Sequence, residues 1–314
     1  MSLLWQCMKL SAPLFLVVGI GYAIALLPFW RAAWSSWASR FVFNVALPAL
    51  LFRMMSGLAT LGSVDVRLLA AFFGGCAIVF ALGRWLAARL FGLAGASQSV
   101  FALGGVFSNN VLLGVPLAKS TLGDESLPAV ALVLVFNALT LWTLITVSVE
   151  WARSGSFTLA GFGSTVRNVL TNPIVAAILA GTLFGFTGLT LPGPIDAVLS
   201  GLGRIAAPAA LLVLGMGLAE YGVRQEWRQS AAICALKLAV HPLAVWGLAL
   251  ALGLPPIELR AVVLLASLSV GANVYLMSVQ FEALQGPVAS SLVLSTALAA
   301  LTTPVLLSIL LAAR

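Results

Sequence analysis

Apolar residues run through this chain in long stretches, and the polar positions that separate them are few. Stretches of bilayer-spanning length fall near 10–30, 38–60, 68–92, 98–121, 127–151, 168–188, 195–220, 229–253, 258–281 and 288–312. A helix needs about 20 apolar residues to cross the hydrocarbon core, so the pattern predicts ten membrane-spanning helices. The connections between them are short. The longest polar one is "WARSGSFTLAGFGSTVRN" at 151–168, and nothing reads as a separate soluble domain.

The first half of the chain is echoed in the second. Shifted by 160 residues, "NVALPALLFRMMSGLA" falls on "RIAAPAALLVLGMGLA", with Ala46, Pro48, Ala49, Leu51, Gly57, Leu58 and Ala59 meeting identical residues. The same shift places Pro13 on Pro173 and Gly21 on Gly181, and a shift one residue smaller places Ala138 on Ala297 and Thr143 on Thr302. Five spans per half is an odd number, so the second copy is expected upside down relative to the first. That is the inverted-repeat plan of many secondary transporters. The expected organisation is a five-helix repeat at 1–152, a short cytoplasmic linker at 153–167 and an inverted five-helix repeat at 168–314.

The fourth stretch breaks the apolar pattern. "GGVFSNNVLLGVPLAKSTLG" at 104–123 carries Ser108, Asn109, Asn110, Gly114 and Pro116 in the middle of a span. Pro116 removes a helical hydrogen bond and its ring crowds the carbonyl of Leu112, while Gly114 weakens the same turn. Free backbone groups are tolerated at membrane depth only where they face protein or a watery cavity. The matching ninth stretch, "LASLSVGANVYLMSVQ", holds Gly271 and Asn273 near its centre. Interrupted segments in corresponding places of two halves point to a transporter binding site, and half-helix N-termini there suit a carboxylate.

Composition makes the membrane assignment firm and removes other classes. The 314 residues are 61% hydrophobic and 8% charged, where a soluble domain carries about 25% charged residues. Sixteen Lys and Arg against nine acids give a net charge of +7. The cations are spread singly, without the cluster that tracks phosphates, so the bilayer and not nucleic acid is the expected partner. Arg31, Arg40, Arg84, Arg89, Arg153, Arg167, Arg224 and Arg228 follow odd-numbered stretches. The positive-inside rule then puts both termini outside and the 151–168 connection in the cytoplasm. The opening residues lack a cleavage site near Pro28-Phe29-Trp30 and read as a retained first helix. Cys7, Cys76 and Cys234 match no redox or metal spacing, one histidine excludes a multi-His metal site, and catalytic motifs are missing. Neither a cofactor, a metal nor an enzymatic activity is expected.

The charges that fall inside the stretches are basic. Every acid lies in a loop or at a segment end, which argues against cation/proton antiport, since that chemistry needs intramembrane carboxylates. Arg53 and Lys119 lie toward the outer face, where Arg53 either snorkels to water or guides a solute. Lys237 and His241 are four apart and share a helix face. His241 is either a neutral core histidine bonded to a carbonyl or a carrier of a proton during transport.

The segments "FVFNVALPALLFRMMSG", "SNNVLLGVPLAKSTLGD", "TNPIVAAILAG", "KLAVHPL" and "VGANVYLMSVQFEA" together resemble the auxin efflux carrier family in its bacterial branch. The resemblance covers essentially the whole chain, and its most specific element is the Asn109 to Pro116 spacing. It implies an all-α membrane protein of ten helices in a 5+5 inverted repeat, with a fourth and a ninth helix broken and crossing. The first, second, sixth and seventh helices would form a scaffold, often dimeric, and the third to fifth and eighth to tenth the moving transport part. Asn109 would contact substrate. The family usually has a proline just ahead of the ninth-helix glycine, where this chain has Ser269. Bacterial relatives are associated with small carboxylates and plant relatives with the auxin anion.

The expected function is a secondary transporter of a small organic anion, by alternating access, in a bacterial inner membrane. Ser108, Asn109, Asn110, Gly271, Asn273 and Tyr275 are the expected substrate contacts. Gly114, Pro116 and Ser269 mark the expected breaks, and Arg53, Lys237 and His241 are candidates for a charge or proton role. A dicarboxylate or an aromatic acid flanked by Phe107 and Tyr275 would each fit this reading. The alternatives are a ligand-binding membrane sensor on the same fold and, more remotely, a cation/proton antiporter.

Overall fold

The computed structural model of the chain describes residues 3–28, 30, 32–57, 65–154, 171, 173–221 and 227–312. Most of the expected linker, from 155 onward, lies outside the described residues, as do Arg31, Arg167, Arg224 and Arg314. Among the described residues the chain is helical, with no β-strand. In order these are α1 (Leu3–Ala25), α2 (Ala32–Phe41, Val42–Ala46 and Leu47–Ser56) and α3 (Arg67–Phe91). Next come α4 (Ala96–Gly104), α5 (Asn110–Gly114 and Val115–Leu122), α6 (Leu127–Ser154), α7 (Pro173–Phe186) and α8 (Gly193–Tyr221). The last are α9 (Trp227–Ala235, Leu236–Val240 and His241–Ala251), α10 (Pro256–Ala266), α11 (Ala272–Gln280) and α12 (Gln285–Ala312). Five helical stretches among the described residues are long and apolar enough to cross a membrane: Ser36–Ser56, Arg67–Phe91, Gly193–Ala219, Trp227–Ala251 and Gln285–Ala312. This is an integral membrane protein.

Among the described residues three helices contain one widened turn each, and each of these turns precedes a proline. At Val42–Ala46, Asn110–Gly114 and Leu236–Val240 the backbone takes π geometry, and the turns close through Leu47 N–H to Val42, Val115 N–H to Asn110 and His241 N–H to Leu236. A proline, Pro48, Pro116 or Pro242, follows two residues after each. Proline lacks the amide hydrogen and its ring strikes the carbonyl four residues back. A wider turn moves that carbonyl aside, and the helix continues without a sharp break.

Close packing of backbones rather than large side chains joins α1 to α8 and α2 to α7. A Cβ on Gly21 of α1 would overlap the carbonyl of Leu212 in α8, and one on Gly215 would overlap the carbonyl of Val18. A Cβ on Gly181 of α7 would lie 2.6 Å from the carbonyl oxygen of Phe52 in α2. The shift of 160 residues that maps Gly21 onto Gly181 also maps Phe52 onto Leu212. Small residues let membrane helices approach in this way, and dispersion then holds them together. The remaining helices pack as a second group, with α3 against α4 and α9, and α12 against α9 and α11. Its centre is buried apolar surface from Phe72, Phe101, Leu113, Val263, Leu265 and Leu292.

Candidate functional site

Two helices stop and restart in the middle of that second group. α4 ends at Gly104, residues 105–109 leave the helical path, and α5 begins at Asn110. α10 ends at Ala266, residues 267–271 do the same, and α11 begins at Ala272. The two unwound stretches run antiparallel and hold each other. Asn109 N–H donates to the Ser269 carbonyl at 3.0 Å, and Gly271 N–H donates to the Phe107 carbonyl at 2.8 Å, pairing Ser108 with Val270. This contact satisfies backbone groups that water cannot reach, which an unwound stretch at membrane depth requires. Gly271 is needed for the approach, since a Cβ there would lie 2.9 Å from Phe107 Cδ1 and 3.0 Å from the Ser108 carbonyl oxygen.

The polar side chains gathered at the crossing are buried and under-used. Ser108 Oγ, Asn109 Nδ2, Asn110 Oδ1 and Ser269 Oγ have no hydrogen-bond partner. Leaving a buried polar atom unpaired costs about 1–3 kcal/mol, so a group of four demands an explanation. Asn110 is turned by Asn137 of α6, which accepts its Nδ2 at 3.3 Å. Ser295 Oγ of α12 accepts the Val270 N–H at 3.0 Å. Ser295 of α12 thus steadies the second unwound stretch, and Asn137 of α6 the residue that follows the first. No side chain caps the N-terminus of α5 or α11, so the first amides there keep their partial positive charge.

Of the other expected contacts, Gly271 is buried against Phe107, while Asn273 and Tyr275 are partly exposed on α11. Ser269 lies in the second unwound stretch. Gly114 and Pro116 lie beyond the first one: the chain departs from the helix at 105–109, and the glycine and proline are absorbed by the widened turn and the start of the helix behind it. Proline fits the first turn of a helix, where its missing amide hydrogen costs nothing. Arg53 is far from the crossing in its contacts, paired with Asp196 of α8 at 2.7 Å. Arg84 is not in a loop but within α3, where it donates to Ser99, Ser148 and Gln98.

Lys237 and His241 are fully buried behind the second unwound stretch. Lys237 Nζ donates to the Ala266 carbonyl, the last of α10, at 2.5 Å and lies 3.3 Å from His241 Nδ1. His241 Nε2 lies 3.3 Å from Cys76 Sγ of α3. Asn137 and Ser295 are residues that sequence reasoning passed over, and Cys76 is one that it assigned no role at a site. For Asn137 a signal existed, a lone amide in the apolar "VLVFNALTLW". For Ser295 and Cys76 there was none, since serine and cysteine are common in such helices. A cavity of about 320 Å3 opens elsewhere, between α9 and α12, lined by apolar residues such as Leu238, Pro242, Leu301 and Ile309.

Comparison with known proteins adds a name to this geometry. A family described as "Membrane transport protein" matches residues 7–158 and 153–307. The chain belongs to this family, the auxin efflux carriers. The carrier is 28% identical over 300 residues to a Rhizobium meliloti protein named "Putative malonate transporter", covering 93% of this chain and 92% of that one. It is 24% identical over 297 residues to an "Uncharacterized transporter" of Methanothermobacter thermautotrophicus, covering 92% and 93%. These relatives are transporters and not enzymes.

Proposed function

We propose that this carrier moves a small organic anion, with one carboxylate held where the two unwound stretches cross. The observation that carries the reading is the set of three buried donors without a partner, Ser108 Oγ, Asn109 Nδ2 and Ser269 Oγ, gathered at the crossing. A carboxylate bound there would accept from the Asn109 amide, the two serine hydroxyls and the first amides of α11, and charge-assisted bonds of this kind are the strong ones. In this reading Asn273, on the first turn of α11, takes part as well. A dicarboxylate is the favoured class, in keeping with the printed name of the Rhizobium meliloti relative.

The same reading includes ten spans in a 5+5 inverted repeat. It is supported by the paired glycine contacts at Gly21 and Gly181, which one shift relates, and by two helices broken in corresponding halves. In this reading α1, α2, α7 and α8 form the scaffold, which pairs into a homodimer, and the other helices move against it in alternating access. Both termini face outward from a bacterial inner membrane. The exposed Trp34, Trp37, Trp85, Trp151 and Trp227 lie toward helix ends that this orientation places at the cytoplasmic interface and the exposed Trp5 toward the outer one, in keeping with the enrichment of tryptophan at both interfaces.

Uptake of labelled malonate into liposomes containing the purified protein tests the reading. The wild type is expected to accumulate it above protein-free liposomes, and a panel of other mono- and dicarboxylates should compete. A folded wild-type protein that moves no member of the panel overturns it.

A further inference from the structure

At a broken helix two ends meet, and their partial charges oppose each other. The N-terminus of α11 brings about +0.5 of an elementary charge and the C-terminus of α10 about −0.5. Left alone, the second would cancel much of what the first offers an anion. Lys237 bears directly on this balance. Its Nζ donates to the Ala266 carbonyl, the C-terminal carbonyl of α10, and the side chain is fully buried. Among the described residues no carboxylate lies within ion-pair distance of it. Its other neighbours are His241 on α9 and, through that ring, Cys76 on α3. The position 160 residues earlier is Ala77, so the first half of the chain has no such cation.

A buried charge without a counter-ion is expensive. We infer that Lys237 is a positioning and field-setting residue for the anion site, neutralising the C-terminal end of α10 from behind so that the crossing is left net positive. The missing counter-ion is then the transported anion itself, present only when the site is occupied. Ser269 is three residue steps along the chain from Ala266, and extended chain spans at most about 3.3–3.6 Å per residue. The ammonium, bonded at Ala266, is thus within about 10 Å of chain from Ser269, and its proposed role is that of a field and not of a substrate contact. At that range and an effective dielectric of about 20, one unit charge changes the binding of another by roughly tenfold.

This inference rests on the anion reading above, and the experiment keeps the two apart. Binding of malonate, monomethyl malonate and malonamide to detergent-solubilised wild type and Lys237→Gln would be measured by calorimetry. The glutamine keeps a donor for the Ala266 carbonyl and removes the charge. The expected result is a graded loss: roughly a hundredfold for the dianion, tenfold for the monoanion, and little change for any weak binding of the uncharged diamide. Lys237→Arg should preserve the wild-type order. Equal losses for all three ligands, or no loss, overturn the inference and assign Lys237 a purely structural role. So does a failure of both Lys237→Gln and Lys237→Met to fold while Lys237→Arg folds. Absence of any carboxylate binding by the wild type overturns the anion reading itself, and this inference with it.

Discussion

Asn109 and Asn137 are both buried amides in the membrane interior, yet they are held in different ways. Asn109 Nδ2 has no partner, whereas Asn137 accepts from Asn110. A polar atom kept unpaired is a cost to the empty protein, and sites built for binding carry such costs. Asn109→Ala should therefore leave the melting temperature of the ligand-free protein unchanged or slightly raised, while malonate affinity falls by about 10- to 100-fold, the worth of a bond to a charged group. Asn137→Leu should lower both, because it removes a bond that orients Asn110. Interhelical bonds of this type average about 0.6 kcal/mol, so a loss of a degree or two is expected. Melting curves with and without malonate separate the two patterns. An Asn109 variant that is unstable but still binds would place the residue in the framework instead.

At the scale of single helices, the hydrophobic pattern carried most of the information. Apolar length announced an all-helical membrane protein, and the internal similarity pointed to a second interruption near Gly271. It misplaced the first, and the reason is physical. Pro116 looks like a breaker in sequence, but with a widened turn before it the helix absorbs it, as it absorbs Pro48 and Pro242. The departure begins instead at the Gly104-Gly105 pair, two poor helix formers that the partner stretch 160 residues on holds open. Nor could the bond from Lys237 to Ala266 be foreseen, since it depends on where a different helix ends. Substitution should reveal which glycine governs the crossing. Gly271→Ala pushes a Cβ toward the Ser108 backbone and should cost about 1–3 kcal/mol and most of the uptake. Gly114→Ala meets only the flexible ends of Leu265 and Leu268 and should be milder on both counts. The reverse order, read by melting temperature and flux, would move the critical contact to α5.

For the molecule as a whole, orientation decides which side each interruption opens toward. The positive-inside argument uses several cations that lie outside the described residues, so it is best checked directly. In a Cys7→Ser background, where the remaining Cys76 and Cys234 are buried, Thr187→Cys should react with an impermeant maleimide on intact cells. Ser164→Cys should react only after the membrane is opened. The opposite labelling would invert the protein and place its tryptophan-rich end outside.

The three widened turns each hold one residue more than an ordinary helix would use there, which amounts to a reserve of length inside α2, α5 and α9. Winding such a turn tight would rotate everything beyond it by about 100°, the angle of one residue, without drawing the helix out of the bilayer. In α9 that turn includes Lys237. The same proline that widens the helix thereby also sets where along α9 the ammonium emerges, against the end of α10.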